Sequence, residues 1–318
     1  HVRQELDTDG VFDFEPDVGD LKVTKFNDNS LKDRVSLSTW GVNGRLGALD
    51  LIYTGSFLKH RATQVADYAG YSNIGLYLPY YECDRGVYYT AAYNGNIGNT
   101  CYAPSKSYQV RNRTERMTHE FRVTTPADKR LRGTFGLFYD DNKLFDNTDW
   151  SYLQQAAGFI YRRAPNASVN ANDTSVRPGQ VGFFNDIQRQ DKQFAAYGEA
   201  SFDIVPDKLT FTGGLRYYDE KASINGSSNG SFGGARGVYN ATTGTYTSAA
   251  TPPTTYNVSA NLNVLYADAS PAKYDGVLYK ANLTYRLDDA SLVYATYSDG
   301  FRPGGFNRRP CRVPSAIC

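Results

Sequence analysis

Tyrosines are concentrated in the segment between residues 68 and 93, where their rings could bind a planar ligand. Aromatic rings offer a large apolar surface, and the tyrosine hydroxyl remains free to form hydrogen bonds. Such a set could stack against a sugar ring, an aromatic siderophore or a porphyrin. The alternative is that the rings pack on one another, because a large ordered loop needs a core of its own. The candidate ligand-binding residues are Tyr77, Tyr80, Tyr81, Tyr88 and Tyr89.

The four cysteines fall into two local pairs, Cys83 with Cys101 and Cys311 with Cys318. Local pairing of an even number of cysteines is typical of an oxidising compartment, so we predict two disulfides. A bridge between Cys83 and Cys101 would close the tip of the tyrosine-rich segment and stabilise it by ~3 kcal/mol. Free thiols in a reducing cell are the alternative. Zinc binding is disfavoured, because neither pair has the C-x-x-C spacing of a zinc site.

The sequence lacks the motifs of common enzymes and cofactor sites. No G-x-S-x-G or H-E-x-x-H context surrounds the histidines, which are His1, His60 and His119. The acidic run from Asp7 to Asp20 lacks the ligand spacing of a calcium-binding EF-hand. The glycine-rich residues 226–237 lack the Lys-Ser/Thr of a phosphate-binding loop. We therefore predict that the chain is not an enzyme and holds neither a metal nor a cofactor.

The composition favours strands and turns over helices. Aromatic residues make up 14% of the chain and there are 29 glycines, so residues that suit pleated surfaces and tight turns are both abundant. The formal net charge of +1 provides no overall field that would attract nucleic acid. Mean hydropathy is −0.52, and no apolar run reaches the ~18 residues of a membrane helix. These values also fit a membrane β-barrel, because only alternate residues of its strands face lipid.

Segments with a two-residue period occur in four pairs, and a short turn joins the two members of each pair. In one strand, for example, Phe194 and Phe202 lie on one face and Glu199 lies on the other. The predicted strands are residues 35–43 with 48–59, 116–125 with 133–141, 193–204 with 209–220, and 277–287 with 291–298. The long polar segments between the pairs are predicted to be loops, at residues 62–114, 142–191 and 221–272.

This layout indicates an antiparallel transmembrane β-barrel, with short periplasmic turns at one end and long extracellular loops at the other. Unpaired backbone groups are costly in hydrocarbon, so strands cross a membrane only in a closed sheet. One face of each strand would contact lipid, while Glu120, Arg122 and Lys280 would face a wet or plugged interior. Tyr53 and Tyr139 would contribute to an aromatic girdle at the lipid headgroups. A soluble β-sandwich is the alternative, although loops longer than ~15 residues are uncommon in compact domains.

Three stretches resemble hairpins of TonB-dependent outer-membrane receptors, in the order that the family shows. They are THEFRVTTP…LRGTFGLFYDD (118–141), DKQFAAYGEASFDIVPDKLTFTGGLRYYDEK (191–221) and LVYATYSDGFRPGGFN (292–307). The resemblance implies a barrel of about 22 strands, closed by an N-terminal plug, in the bacterial outer membrane. It also implies import of a scarce ligand, such as siderophore-bound iron, cobalamin, haem or an oligosaccharide. The implied partners are outer-membrane lipid, the transported ligand and the TonB complex, which acts through the plug.

The sequence accounts for about eight to ten of the roughly 22 strands in such a barrel. We therefore expect residues 1–318 to be part of the barrel domain, with the plug domain and the C-terminal strands absent from this sequence. Residues 1–30 are predicted to form an acidic loop. Residues 300–306 are predicted to lead from the membrane into a loop without binding a ligand. Two other functions stay open: a barrel-anchored surface protein whose loops make adhesion or assembly contacts, and a soluble carbohydrate-binding β-domain.

Overall fold

The computed structural model describes residues 1–9, 17–20, 22–68, 80–83, 86–89, 101–102, 106–152, 181–230, 238–240, 245–247 and 262–306. These residues contain fourteen strands and one helical turn. In chain order they are β1 (Val2–Thr8), β2 (Ser30–Leu46), β3 (Leu49–Asp67), β4 (Tyr80–Cys83), β5 (Gly86–Tyr89), β6 (Cys101–Tyr102), β7 (Lys106–Thr124), β8 (Leu131–Tyr152), β9 (Val181–Val205), β10 (Leu209–Gly230), β11 (Val238–Asn240), β12 (Thr245–Thr247), α1 (Leu262–Leu265), β13 (Ala272–Arg286) and β14 (Leu292–Ser298).

Nine of the strands form one antiparallel sheet in the order β1-β2-β3-β7-β8-β9-β10-β13-β14, which follows the chain without a crossover. The three short strands β4, β5 and β6 form a small sheet of their own, and β11 pairs with β12. Within the described ranges the large sheet is open, with β1 and β14 at its edges. No helix in these ranges is long and apolar enough to cross a membrane. The predicted all-β antiparallel fold is confirmed.

One face of the large sheet is apolar. A single row of directly opposed residues on this apolar face consists of Val42, Tyr53, Phe121, Leu137, Ala196, Tyr217 and Val277. Large side chains on the same face are exposed, including Phe135 at 58% and Leu215 at 55%. Such surface is unfavourable in water but favourable in hydrocarbon. On β9 the apolar positions extend from Phe194 to Ile204, which matches the ~9–11 residues of a membrane-spanning strand.

The opposite, polar face carries hydrogen bonds and ion pairs between strands. The Tyr197 hydroxyl on β9 donates to Oε1 of Glu120 on β7 at 2.5 Å. This contact crosses the intervening strand β8 at Gly136, where any side chain would overlap the Tyr197 ring. Further along the face, Nζ of Lys280 lies 2.7 Å from Oε2 of Glu199. The predicted division of the strands into an apolar face and a polar face is therefore visible in the structure.

The turns at one end of the sheet are short, as predicted. Gly47 has φ +60° in the β2–β3 turn, and Asp207 has φ 59° in the β9–β10 turn. Glycine reaches this left-handed region without steric cost, and aspartate tolerates it better than most residues. Close to the β9–β10 turn, Nη1 and Nη2 of Arg132 donate to the two carboxylate oxygens of Asp203 at 2.6 and 2.7 Å. This bidentate pair ties β8 to β9 beside the turns.

The strands continue well beyond the predicted boundaries at the other end of the sheet. β8 reaches Tyr152, β9 begins at Val181 and β10 reaches Gly230, although residues 142–152, 181–191 and 221–230 were predicted to lie in loops. Those loop predictions were wrong at their ends, because the ladder of backbone hydrogen bonds continues where the alternation of apolar and polar residues stops. Outside the lipid neither face has to be apolar, so the two-residue period disappears from the sequence while the strand persists.

The prediction of an acidic loop at the start of the chain was also wrong in part. Residues Val2–Thr8 form β1, which pairs along its whole length with β2. Ion pairs across this edge join Glu5 to Arg34 at 2.7 Å and Asp7 to Lys32 at 3.5 Å. A strand whose side chains are mostly exposed shows no apolar period, so its sequence resembles a loop.

The bond between Tyr197 and Glu120 predicts a measurable loss of stability when it is removed. We expect Tyr197→Phe to lower the free energy of unfolding of the full-length protein by about 1–2 kcal/mol, because the hydroxyl donates to a carboxylate. The measurement is denaturant unfolding in lipid vesicles, followed by fluorescence. Tyr279→Phe is the matched control, since Tyr279 lies on the apolar face and is 52% exposed. Equal losses in the two variants would contradict the role of this bond.

The two cysteines of the predicted Cys83–Cys101 disulfide lie in the small sheet, and the bridge between them stays a prediction. The register of β4 and β6 places these two residues directly opposite each other. Opposed residues in antiparallel strands have Cα atoms ~4.5–5.5 Å apart, which is within the range of a disulfide. We expect a digest of the unreduced protein to contain the linked peptides, detected by mass spectrometry. Labelling of both thiols by a maleimide before reduction would refute the bridge.

Candidate functional site

The end of the described chain folds back over the polar face of the sheet. After β14, the backbone N–H of Asp299 donates to the carbonyl oxygen of Tyr279 at 2.9 Å. The Phe301 ring then stacks on Tyr218 of β10, with ring centroids 3.8 Å apart and planes 7° apart. Farther on, Phe306 meets Tyr266 edge to face at 4.8 Å. Residues 300–306, here called the strap, therefore lie against the sheet rather than leading away from it.

A small apolar cluster holds the far end of the strap. Ile187, Ile224 and Leu262 are almost completely buried together, and Tyr266 and Phe306 pack against them. The strand position beside this cluster requires glycine: Gly226 has φ +103°, and a Cβ there would overlap the carbonyl oxygen of Asp186. The strap is thus fixed between an aromatic stack at one end and an apolar cluster at the other.

A cleft of about 380 Å³ lies between the strap and the polar face of β7–β10. It lies beyond Phe194 and Tyr217, the last apolar-face residues of β9 and β10, and so on the side of the long loops. Side chains from four strands of the sheet meet the strap backbone there. The lining residues are Arg116, Asp140, Asn142, Arg189, Asp191, Glu220, Ala222, Ser223, Ile224, Pro303, Gly304, Gly305 and Phe306.

The cleft combines two arginines with three carboxylates. Nε and Nη2 of Arg116 donate to the two oxygens of Asp140 at 2.8 and 3.1 Å, so these charges largely neutralise each other. Glu220 is 6% exposed and accepts a hydrogen bond from Gln193 at 3.0 Å. Gln193 in turn accepts one from Arg216 at 2.9 Å. This chain of bonds holds the carboxylate of Glu220 in a defined position at the wall of the cleft.

Burial raises the pKa of the other two carboxylates of the cleft, Asp191 and Glu220. Desolvation raises the pKa of Asp191, and the negative charge of Asp140 raises it further, although Arg189 opposes both effects. Desolvation also raises the pKa of Glu220, with smaller contributions in the same direction from Asp191 and Asp140 and an opposing one from its bond to Gln193. Carboxylates that repel one another attract groups that donate hydrogen bonds or carry positive charge. The cleft therefore suits a polar ligand with several donors.

The structure brings together four of the five tyrosines predicted to bind a ligand. Tyr80 lies opposite Tyr89, and Tyr81 lies opposite Tyr88, in the hairpin formed by β4 and β5. Of the predicted disulfide cysteines, Cys83 and Cys101 are opposed in the same small sheet. The other predicted residues, Tyr77, Cys311 and Cys318, lie outside the described residues.

Sequence reasoning did not identify the cleft residues. Arg116, Asp140 and Glu220 come from three different strands, and only the register of the sheet shows that they are neighbours. One signal was available: each occupies a polar-face position just past the last apolar residue of its strand. Residues 300–306 were predicted to lead from the membrane into a loop, and their Gly-Pro-rich sequence does not indicate where that loop packs.

Comparison with known proteins agrees with this architecture. A model of the TonB dependent receptor-like β-barrel family matches residues 5–312. None of the curated proteins matches the chain. Among solved structures, the ferric yersiniabactin uptake receptor FyuA from Yersinia pestis is similar, with a TM-score of 0.53 and 12% sequence identity. The similarity covers 90% of this chain and 31% of FyuA, so the chain spans about a third of that receptor. The chain belongs to the TonB-dependent receptor β-barrel family, which is a family of the bacterial outer membrane.

Proposed function

We propose that this chain is part of the barrel of an outer-membrane receptor that binds a scarce ligand outside the cell and imports it with energy from the TonB complex. Family membership supports this proposal, since members are transporters rather than enzymes. The single observation that carries it is the charged cleft on the polar face, at the end of the sheet where the long loops emerge. A ligand that arrives from outside would meet this cleft before it reaches the membrane-spanning part of the barrel.

The two edge strands of the large sheet, β1 and β14, indicate that further strands complete the barrel domain. In hydrocarbon, the unpaired backbone groups of β1 and β14 would each be costly. We therefore propose that residues 1–318 form part of a larger barrel domain, and that strands outside the described ones complete it. The plug through which the TonB complex acts would then lie elsewhere in the protein. In this arrangement the polar face, with Glu120, Arg216 and Lys280, would surround the plug and the transport path.

The cleft and the hairpin formed by β4 and β5 together indicate which chemical groups the ligand carries. Carboxylates and arginines in the cleft favour a ligand rich in hydrogen-bonding groups, while the opposed tyrosines of β4 and β5 favour one with a flat surface. An iron siderophore, cobalamin, haem and an oligosaccharide all combine these properties. FyuA is an uptake receptor for ferric yersiniabactin. Its similarity in fold makes a siderophore one candidate for this chain, alongside the other three.

The proposal predicts nutrient-specific growth that depends on both the receptor and TonB. Cells that lack their own receptors and express this protein are grown on each of the four ligand classes as the sole source of iron, cobalamin or carbon. We expect growth on one class, and we expect that growth to be lost when the TonB complex is deleted. Growth that is the same with and without the protein on every ligand would refute uptake. Adhesion without uptake would instead favour a barrel-anchored surface protein.

A variant in the cleft tests whether the cleft binds the imported ligand. We expect Glu220→Ala to raise the half-saturating ligand concentration about tenfold, since one lost charged hydrogen bond is worth roughly 1.4 kcal/mol. The measurement is concentration-dependent uptake by whole cells. Asp128→Ala is the matched control, because Asp128 is an exposed carboxylate in the turn at the opposite end of the sheet. If both variants show the same half-saturating ligand concentration as the unaltered protein, the cleft does not bind the imported ligand.

A further inference from the structure

Strand β2 reverses which of its two sides is apolar at the level where the lipid-facing surface ends. From Trp40 to Leu46, its large apolar side chains lie on the apolar face of the sheet. Nearer the beginning of the strand, Arg34 occupies that side, while Val35 and Leu37 lie on the polar face. Side chains alternate strictly along a strand, so this change in sequence is a change of direction. The apolar residues of the outer part of β2 therefore face the interior of the barrel.

The strands on either side of β2 show the same reversal. Leu37 is directly opposite Val2 on β1 and directly opposite Leu58 on β3. Val2 is 62% exposed, and Leu6, which lies on the same side of β1, is 48% exposed. The residues on the other side of β1 are charged: Arg3, Glu5 and Asp7. The inward-facing set, here called the inner apolar patch, consists of Val2, Leu6, Val35, Leu37 and Leu58.

A single row of directly opposed residues joins the inner apolar patch to the charged cleft. Leu58 on β3 is directly opposite Arg116 on β7, which lines the cleft. Neighbouring strands are ~4.8 Å apart, so a molecule in the cleft lies within one strand spacing of the patch. The first three residues of the row are apolar, and the next three carry a charge or an amide. From β1 to β9 the row is Val2, Leu37, Leu58, Arg116, Asn142 and Asp191.

The inner apolar patch offers little to a polar or charged group. Asp33 lies beside it on β2, but its Oδ2 atom is 2.8 Å from Nε2 of His60, so this carboxylate already has a partner. Membrane lipid contacts the opposite side of these strands and does not cover the patch. Apolar surface is stabilised when it leaves water for contact with other apolar groups. An occupant that displaces water from the patch therefore has to be apolar itself.

We propose that the imported ligand is an amphiphile, with an alkyl or aryl part on the inner apolar patch and a hydrogen-bonding head in the charged cleft. The cleft lies on the ligand path in the proposed function, and the patch is continuous with it, so one molecule occupies both. This inference rests on the proposed function and narrows its ligand. An oligosaccharide, which has no large apolar part, is disfavoured among the four candidate classes.

The test measures the binding of two probes to the full-length protein in lipid nanodiscs. The probes are ferric hydroxamate chelates that differ only in an octyl chain, and empty nanodiscs correct for partition of that chain into lipid. We expect the unaltered protein to bind the octyl probe at least about tenfold more tightly, because each buried CH₂ group contributes about fourfold. Leu37→Asn with Leu58→Asn should abolish most of this preference and leave binding of the plain chelate unchanged, since the cleft stays intact.

The matched control changes two other leucines of the same strands. Leu46 and Leu49 are also directly opposed, but they lie at the turn end of β2 and β3. Leu46→Asn with Leu49→Asn should therefore keep the full preference for the octyl probe. Equal affinity of the unaltered protein for the two probes would overturn the proposal, and so would an undiminished preference in the variant of Leu37 and Leu58.

A crosslinking measurement identifies a different occupant of the patch, such as the plug. With benzoylphenylalanine in place of Leu58, we expect light to crosslink the octyl probe to the protein. A crosslink to the plug that persists in the presence of the probe would overturn the proposal. The growth experiment tests import separately. Loss of TonB-dependent growth with an intact preference for the octyl probe would refute import alone, and growth without that preference would refute this inference alone.

Discussion

The pairing of backbone N–H and C=O groups between neighbouring strands is the constraint on which the rest of this structure depends. Hydrocarbon offers these groups no other partner, so the ladder must be continuous across the membrane. Between β8, β9 and β10 it runs nearly unbroken from the turns to the far ends of the strands. A continuous ladder fixes which side chains face lipid. A slip of one residue would move Glu199 and Arg216 into hydrocarbon and is therefore excluded.

Because side chains alternate between the two faces of the sheet, the same strand carries charged residues in two separate places, one on each face. Along β9, the residues that face inward include Tyr197 and Glu199 within the membrane level and Asp191 beyond it. The outward positions are apolar until Phe194, after which Lys192 follows at once. Charged side chains therefore occur along the whole polar face of the strand. On the apolar face they occur only beyond the end of the lipid-facing surface. The cleft on the polar face and Lys192 on the opposite face lie at similar heights, because both lie just past the last apolar residues of the strands.

The membrane-level part of the fold was predictable from sequence. The pairing of residues 193–204 with 209–220 followed from their alternation and from the intervening Pro-Asp-Lys turn. The outer parts of β8 and β10 were not predictable, because Asn142, Asp146 and Ser227 show no period where no lipid imposes one. The candidate site was also missed: Arg116 and Glu220 become neighbours only through the register of four strands, and no local pattern encodes that register. The stacking of Phe301 on Tyr218 is likewise a tertiary contact.

The strap and the sheet are held by different kinds of interaction. Within the described residues, the backbone ladder at this end of the chain finishes at the bond between Asp299 and Tyr279. Beyond it, ring contacts of Phe301 and Phe306 hold the strap in place. Segments fixed only by side-chain packing open at a lower free-energy cost than the core of a sheet. The cleft thus has one wall formed by hydrogen-bonded strands and one wall held by ring contacts, and we expect the second wall to open at the lower free-energy cost.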